Sequence, residues 1–338
     1  MTTPRGPELS KVAPAPPGAA AGHGPPGSVP AVPSPAPAAA GEPQPSGPPG
    51  VAALPPGHVV GLPGRGSAFT RVAPGPGPDA PCVVLLHGLT ATADLNWFAA
   101  FGPLSAGHRV VAPDLRGHGG GVAADRFTLD DAADDVAGVL GALGVERAVV
   151  VGYSMGGAVA QVLWRRHPEL VAGLVLCATA ADYRERTARG RYLEQPRRVA
   201  VAALGRVLPS GLRARALARL RQASTARLQA DADRSSPVQH WAAGELARSD
   251  PFRVAGAGAV LRRYVAPGDL SRIGVPVAMV VTEHDDVVPT VDQRALLALL
   301  PAGTTVHEVA AGHGAFVEDP DRFVPALVAA VGDVDARI

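Results

Sequence analysis

The sequence predicts an α/β fold in which a mostly parallel, doubly wound sheet of about eight strands carries a helical cap inserted after the sixth strand. Short apolar runs alternate with segments of helical periodicity, which is typical of a parallel sheet covered on both faces. Several of these runs are uninterrupted Val and Leu, as expected for strands buried on both sides. One stretch, residues 182–266, breaks the alternation and shows only helical patterns.

The chain begins with a segment unlike the rest. Residues 1–56 are rich in Pro, Ala and Gly and contain almost no large apolar side chains. Such a segment buries too little apolar surface to offset the entropy of ordering, so we expect a disordered or polyproline-like tail. Two interpretations stay open: a solvated extension, or a docking arm for a partner that binds proline-rich sequences.

Eight candidate strands and four clear helices follow the tail. The strands are predicted at residues 58–62, 68–72, 82–86, 109–113, 148–152, 174–178, 277–282 and 305–309. The helices are predicted at residues 128–143, 157–167, 291–300 and 320–331. Thr128 is placed as an N-cap, with Asp131 at the capping-box position. The expected core is therefore residues 57–181 together with 267–338.

Residues 182–266 are interpreted as the cap. Because the segment falls between the sixth and seventh strands, it is expected to lie over the carboxyl ends of the strands, where open α/β sheets bind ligands. Tyr153, beside the serine discussed below, and the cap residues Trp241 and Phe252 are candidate substrate-binding residues. The cap is also rich in arginine, which fits either a solvated helix face or peripheral contact with anionic lipid.

Composition excludes several classes of function. The net charge of +1 does not favour a nucleic-acid partner. Cys82 and Cys177, the only cysteines, lie in apolar runs and are expected to be free buried thiols. No spacing of His, Cys and carboxylates predicts a metal site, and no cofactor motif is present. With no apolar stretch long enough to span a bilayer, we expect a cytoplasmic protein; the oligomeric state is not predicted.

The segment Gly152-Tyr153-Ser154-Met155-Gly156 lies between a β-branched run and a helical segment. A serine at a sharp strand-to-helix turn, with glycines two residues to either side, is an arrangement that presents a hydroxyl as a nucleophile. Glycine is required at both flanking positions because the turn brings neighbouring chain very close. The helix that follows directs its free N–H groups toward the place where an oxyanion would form.

Taken with other motifs, this turn resembles the α/β-hydrolase family over about residues 58–332. Four signatures occur in the family's order: His87-Gly88-Leu89 after one strand, the segment Asp114–Gly119 after the next, the turn at Ser154, and then an acid and a histidine near the carboxyl terminus. The resemblance is to serine-nucleophile members of the esterase and lipase type that carry a helical cap.

The family order assigns the remaining site residues. A serine hydroxyl needs a base, and the best candidate is His313, which stands between two glycines after the last strand. The acid that orients the base is Asp285 or its neighbour Asp286. The resemblance favours Asp285, because the family's acid commonly stands four residues before the proline of this loop. Backbone N–H groups of Met155, by the turn geometry, and of Leu89, by resemblance, are the expected oxyanion donors.

These residues predict a cofactor-independent serine hydrolase that cleaves a carboxylic ester with a medium-chain or lipid-like acyl group. Acyl transfer, C–C bond hydrolysis and cofactor-free perhydrolysis use the same residues and stay open as alternatives. Dehalogenase and epoxide-hydrolase chemistry is disfavoured, because those family members have an aspartate at the position of Ser154. A ligand-binding protein that keeps the fold without turnover is the alternative from another class.

Overall fold

The structure, a computed structural model, describes residues 47–48, 53–184, 237–266 and 268–338, and the single positions 212, 215 and 219. Eight strands form one sheet: β1 (Gly57–Leu62), β2 (Gly66–Ala73), β3 (Cys82–Leu86), β4 (Arg109–Pro113), β5 (Ala148–Tyr153), β6 (Val171–Cys177), β7 (Val277–Thr282) and β8 (Thr305–Val309). Their order across the sheet is β1-β2-β4-β3-β5-β6-β7-β8. Strands β1, β2 and β4 pair antiparallel, and all pairings from β4 to β8 are parallel. The predicted α/β fold with a mostly parallel sheet of eight strands is confirmed.

Helices of the described residues connect these strands. They are α1 (Ala93–Trp97), α2 (Phe101–Ser105), α3 (Leu129–Ala142), α4 (Met155–Arg166), α5 (Pro237–Ala247), α6 (Pro251–Leu261), α7 (Thr290–Leu297), α8 (Ala315–Glu318) and α9 (Pro320–Asp335). The predicted N-cap of α3 at Thr128 is confirmed. The Asp131 backbone N–H donates to Thr128 Oγ1 at 2.9 Å, and that hydroxyl donates to the Asp131 carboxylate at 2.7 Å. Helix α4 begins two residues earlier than predicted, directly after Ser154.

The sheet is buried on both faces, which explains the uninterrupted apolar runs. Along β3, Val84 and Leu86 face the side covered by α3 and α4, whereas Val83 and Leu85 face the side covered by α1, α2 and α9. Each of these four side chains has no exposed surface. Because successive residues of a strand point to opposite faces, only a continuous apolar run fills both layers. Both cysteines are free and buried, as predicted.

The predicted cap is described only in part. Helices α5 and α6 fall within residues 182–266, and most of the arginine-rich stretch between them and β6 lies outside the described residues. At the two ends of the segment, Asp182 and Val265 form an antiparallel bridge. The predicted tail, residues 1–56, also lies almost wholly outside the described residues. No helix in the described part of the chain has the length and apolarity needed to cross a membrane.

Candidate active site

The turn after β5 has strained backbone geometry. Ser154 has φ 54° and ψ −115°, in the region that favours glycine. A Cβ at Gly152 would collide with the backbone of Gly156, and a Cβ at Gly156 would collide with the Leu86 carbonyl. The Ser154 N–H donates to the Cys177 carbonyl at 2.9 Å, which ties the turn to β6. Strain of this kind persists only where the surroundings enforce it, and it is concentrated at functional sites.

Two hydroxyl groups hold the Ser154 carbonyl. Thr179 Oγ1 donates to it at 2.8 Å and the Tyr183 hydroxyl at 3.0 Å. The two hydroxyl oxygens also lie 3.0 Å from each other. Each hydroxyl has a single hydrogen, so only two of these three contacts can be hydrogen bonds at any moment. The motif at residues 152–156 gives no sign of these residues, because both come from the chain beyond β6.

Ser154, His313 and Asp285 form a hydrogen-bonded chain. Ser154 Oγ lies 3.0 Å from His313 Nε2, and His313 Nδ1 lies 2.7 Å from Asp285 Oδ2. Because a carboxylate only accepts hydrogen bonds, Nδ1 carries the proton, and Nε2 is left free to accept the serine hydroxyl. Ser154 and Asp285 are buried, whereas the His313 side chain keeps 17% of its surface exposed. The three side chains, 159 positions apart at most, therefore meet as the sequence predicts.

The structure also separates the two candidate acids. Asp285 Oδ1 accepts the backbone N–H groups of Val287 at 2.9 Å and Val288 at 2.6 Å, and Oδ2 accepts the Thr282 hydroxyl at 2.8 Å. Asp286 is exposed. The chain turns back on itself after β7 and directs only the first of the two carboxylates toward His313.

Two side chains, Asn96 and His87, hold Gly88 in the loop after β3. Asn96 Oδ1 accepts the Gly88 N–H at 2.9 Å, and His87 Nδ1 lies 2.8 Å from the Gly88 carbonyl. His87 Nε2 accepts the Leu115 N–H at 2.8 Å, so Nδ1 carries the proton and donates to Gly88. Burial lowers the pKa of His87 to about 4, which keeps it neutral. The Gly88 carbonyl belongs to the same peptide unit as the Leu89 N–H, so His87 fixes the direction of that donor.

Comparison with known proteins agrees with this architecture. A family model described as alpha/beta hydrolase fold matches residues 81–320. The chain belongs to the alpha/beta hydrolase fold family. A relative named 2-hydroxymuconate semialdehyde hydrolase, from Pseudomonas sp. (strain CF600), is 39% identical over 102 residues, which are 29% of this chain and 36% of the relative. Epoxide hydrolase B of Mycobacterium tuberculosis (strain ATCC 25618 / H37Rv) is 38% identical over 117 residues, which are 33% of this chain and 32% of the relative.

These matches span about a third of each curated relative's length. Among solved structures, a thermophilic esterase from Thermogutta terrifontis with malate bound is similar over 82% of this chain and 98% of its own, with a TM-score of 0.61 and 25% identity. The family membership establishes the fold. It does not establish which reaction this chain catalyses, because the relatives and the solved structure are named for different hydrolase reactions.

In this alpha/beta hydrolase fold chain, the predicted substrate-binding residues occupy three different environments. The Trp241 ring packs on Phe98 at 5.2 Å and joins a small apolar cluster with Phe316, three residues after His313. Phe252 is buried in the first turn of α6. Tyr153 has no exposed surface and its hydroxyl donates to a backbone carbonyl, so the structure places it beneath the site and not on its surface. A binding role for Tyr153 is therefore not supported.

A buried charge network joins α5 to the loops of this hydrolase-fold core. Arg248 Nη1 lies 2.7 Å from Glu245 and 3.3 Å from Asp94, and Nη2 lies 3.8 Å from Asp114. Arg71 makes a paired contact with Asp94 at 2.8 and 2.9 Å. Burial raises the pKa of Asp114 to about 6 although Arg248 acts against it. No spacing in the sequence indicates this network, because its members come from four separate segments.

Among residues 53–184, 237–266 and 268–338, no group of three or more His, Cys, Asp or Glu side chains has the arrangement of a metal site. Of the buried carboxylates, Asp94, Asp114 and Glu245 lie within 4 Å of Arg248. The arrangement allows proton transfer between Ser154 Oγ and His313 Nε2, with Asp285 orienting the imidazole.

Proposed function

We propose that this protein is a serine hydrolase that cleaves a carboxylic ester through an acyl-enzyme intermediate. The observation that carries the proposal is the continuous chain from Ser154 Oγ through His313 to Asp285, at 3.0 and 2.7 Å. This geometry matches the general arrangement of nucleophile, base and orienting acid. A protein that only binds a ligand has no need of all three groups in contact.

In the proposed reaction, Ser154 Oγ attacks the ester carbonyl carbon while His313 Nε2 takes the hydroxyl proton. Asp285 holds the imidazole in the required tautomer and stabilises the imidazolium. His313 then gives the proton to the leaving alcohol, which departs as the C–O bond breaks. Water then attacks the acyl carbon while His313 Nε2 takes a proton from it. The bond between the acyl carbon and Ser154 Oγ breaks, His313 returns the proton to Ser154 Oγ, and the carboxylic acid is released.

The tetrahedral intermediates need donors for their negative oxygen. We assign the backbone N–H groups of Leu89 and Met155 to this role. Neither N–H has a hydrogen-bond acceptor in the described part of the chain, and the peptide that carries the Leu89 donor is oriented by His87. Met155 is the first residue of α4, so the positive end of the helix dipole adds to its effect. Each such donor contributes on the order of 10²–10³ in rate.

The cap and the substrate class belong to the same proposal. We assign residues 182–266 to a helical cap over the site, with Trp241 and the adjacent apolar cluster as the surface that contacts an apolar acyl group. A small-molecule ester is the expected partner.

C–C bond hydrolysis is the second candidate, favoured by the similarity to the relative named 2-hydroxymuconate semialdehyde hydrolase. It would use the same three side chains. Epoxide hydrolysis is less favoured despite the second relative, because members with that chemistry carry an aspartate where this chain has Ser154. Acyl transfer and perhydrolysis differ from ester hydrolysis only in the species that reacts with the acyl-enzyme.

The test is a panel of nitrophenyl esters of increasing acyl length, with the wild type, Ser154→Ala and the control Ser67→Ala. Ser67 is an exposed serine on β2, so its replacement leaves the site intact. We expect turnover by the wild type and the control, and a loss on the order of 10⁶ in Ser154→Ala. Equal turnover in all three proteins would refute the proposal. Turnover of 2-hydroxymuconate semialdehyde with no ester cleavage would favour the second candidate.

A further inference from the structure

Tyr153, the residue before the nucleophile, makes a specific contact with the loop of the base. Its hydroxyl donates to the His313 backbone carbonyl at 2.7 Å, across 160 positions of sequence. The ring lies 5.5 Å from the imidazole, centroid to centroid, and the whole side chain is buried. A side chain with no exposed surface is out of reach of substrate, and the hydrogen of this hydroxyl is already donated within the protein.

The Tyr153 contact completes the anchoring of the His313 loop. The carbonyls of Gly312 and Gly314, on either side of His313, accept backbone N–H groups of the residues that follow. Asp285 and Ser154 contact the two imidazole nitrogens, and neither contact fixes the His313 backbone carbonyl. Among the described residues, the Tyr153 hydroxyl is the donor that fixes the His313 carbonyl.

The tyrosine is itself held rigidly. Its ring packs edge-on against Phe316 at 5.1 Å, Phe323 at 5.4 Å and Trp97 at 6.3 Å. Tyr153 is the last residue of β5, and its backbone pairs with Cys177 of β6. The hydroxyl therefore has a fixed position relative to Ser154, which follows directly in the chain.

The hydroxyl also keeps its hydrogen under all conditions in which the enzyme would work. Burial, with added contributions from Asp285, Cys177 and Glu318, raises the pKa of Tyr153 well above its usual value. The group thus remains a neutral donor to the carbonyl at neutral and alkaline pH.

We propose that Tyr153 is a positioning residue, whose hydroxyl fixes the backbone of His313 and thereby sets the distance between the imidazole and Ser154 Oγ. The inference rests on the proposed function, since it concerns the geometry of the same site. The reaction rate depends strongly on this distance, because a small displacement of the base from the nucleophile slows proton transfer without weakening substrate binding.

The experiment uses Tyr153→Phe, which keeps the ring and removes the donor. The matched control is Tyr264→Phe, because the Tyr264 hydroxyl donates to Gln161 Oε1 at 3.0 Å and its loss removes one hydrogen bond elsewhere. Each full-length protein is titrated with a fluorophosphonate probe, which counts the active sites and normalises for any unfolded fraction. The rate of labelling per site, kcat and KM for a nitrophenyl ester are then compared with the wild type.

We expect Tyr153→Phe to label about tenfold more slowly per site, with kcat reduced by a similar factor and KM within twofold. Tyr264→Phe is expected to match the wild type per site. Incorporation of 4-aminophenylalanine at position 153 restores a neutral N–H donor and is expected to recover most of the rate. This second variant also serves if the Phe variant is poorly folded.

Three results would overturn the inference. The first is a labelling rate per site in Tyr153→Phe within twofold of the wild type. The second is an equal loss in both Phe variants, which would indicate a general structural effect. The third is no recovery with the 4-amino variant. Failure of the wild type itself to react would instead refute the proposed function, and the inference with it.

Discussion

Asp285 contacts His313 with one carboxylate oxygen and, with the other, the backbone of the residues that follow it. Oδ2 lies 2.7 Å from His313 Nδ1, while Oδ1 accepts the backbone N–H groups of Val287 and Val288. The backbone hydrogen bonds to Oδ1 therefore orient the carboxylate so that Oδ2 faces the imidazole. This arrangement explains why the first aspartate of the pair, and not the second, faces the histidine.

Replacement of Asp285 by Asn is expected to lower kcat by about 10⁴, because an amide in this place stabilises the wrong imidazole tautomer. The control is Asp286→Asn, at the exposed neighbouring position, which is expected to retain kcat within twofold. Ester turnover of the two variants, normalised to folded protein, provides the measurement. If Asp286→Asn proved the more damaging change, the acid would be misassigned.

The two hydroxyl groups at the Ser154 carbonyl are expected to be energetically coupled. Either Thr179 or Tyr183 alone still supplies a donor, whereas removal of both leaves the carbonyl of a strained residue without a side-chain donor. Urea unfolding of Thr179→Val, Tyr183→Phe and the double variant measures the coupling. We expect the double variant to lose about 1 kcal/mol more than the sum of the single variants. Simple additivity would show that the two hydroxyls act independently.

Loss of Arg248 is expected to destabilise the protein by about 3 kcal/mol, because Asp94, Asp114 and Glu245 then lose a shared counter-charge in a largely buried place. Methionine is the replacement of choice, since it keeps much of the side-chain volume. The control is Arg322→Met, which breaks an exposed ion pair with Asp319 and is expected to cost less than about 0.5 kcal/mol. Urea unfolding of both variants at pH 7 is the measurement, and similar losses would contradict the importance of the network.

The same variant is expected to respond to pH. Without Arg248, the pKa values of Asp114 and Glu245 rise further, so the folded state binds more protons than the unfolded state over a wider range. The loss of stability in Arg248→Met relative to the wild type is therefore expected to grow as pH rises from 5 to 8. Parallel pH profiles for the two proteins would contradict this explanation.

Acid is expected to destabilise the wild type through His87 and His118. Burial lowers their pKa values to about 4 and about 3, so between these values and about 6.5 the unfolded state binds more protons. Stability is therefore lost as pH falls from about 6.5 toward 4. Asp114, with its pKa raised by burial to about 6, and Glu245, whose pKa burial also raises, act in the opposite direction. The two histidines act over a wider pH range than Asp114, so we expect their effect to dominate.

Urea unfolding from pH 7 to pH 4.5 tests this prediction. His87→Gln, whose amide oxygen can still accept the Leu115 N–H, is expected to show a smaller loss over this range. Asp114→Asn removes one opposing group and is expected to show a larger one. A wild-type stability that does not change over this range would show that the two buried histidines do not govern the acid response.

The sequence alone predicts the elements that depend on local pattern. The eight strands, the cap at Thr128 and the turn at Ser154 follow from apolar periodicity, capping residues and glycine spacing. The short helices α1 and α2 are missed, because five residues are too few to show a helical period. Strand β6 begins three residues before the prediction, because Ala172 and Gly173 have low strand propensity and the start of the strand pairs only with β5.

Contacts between distant segments are the part that local pattern does not reveal. Asp285 and Asp286 are neighbours that the sequence distinguishes only through the family resemblance, which favours Asp285, whereas the path of the chain after β7 directs the Asp285 carboxylate toward His313. The contact of Tyr183 with the Ser154 carbonyl depends on how the chain beyond β6 returns over the sheet. Tyr153 is adjacent to the nucleophile and so suggests a binding role, yet the alternation of side chains along β5 turns it into the core.

Reaction of the wild-type protein with a fluorophosphonate, followed by intact mass and peptide mapping, tests the central claim most directly. The account predicts one adduct per chain, located on Ser154, and none in the Ser154→Ala variant. A folded wild-type protein that forms no adduct, or an adduct that persists in Ser154→Ala, would contradict it.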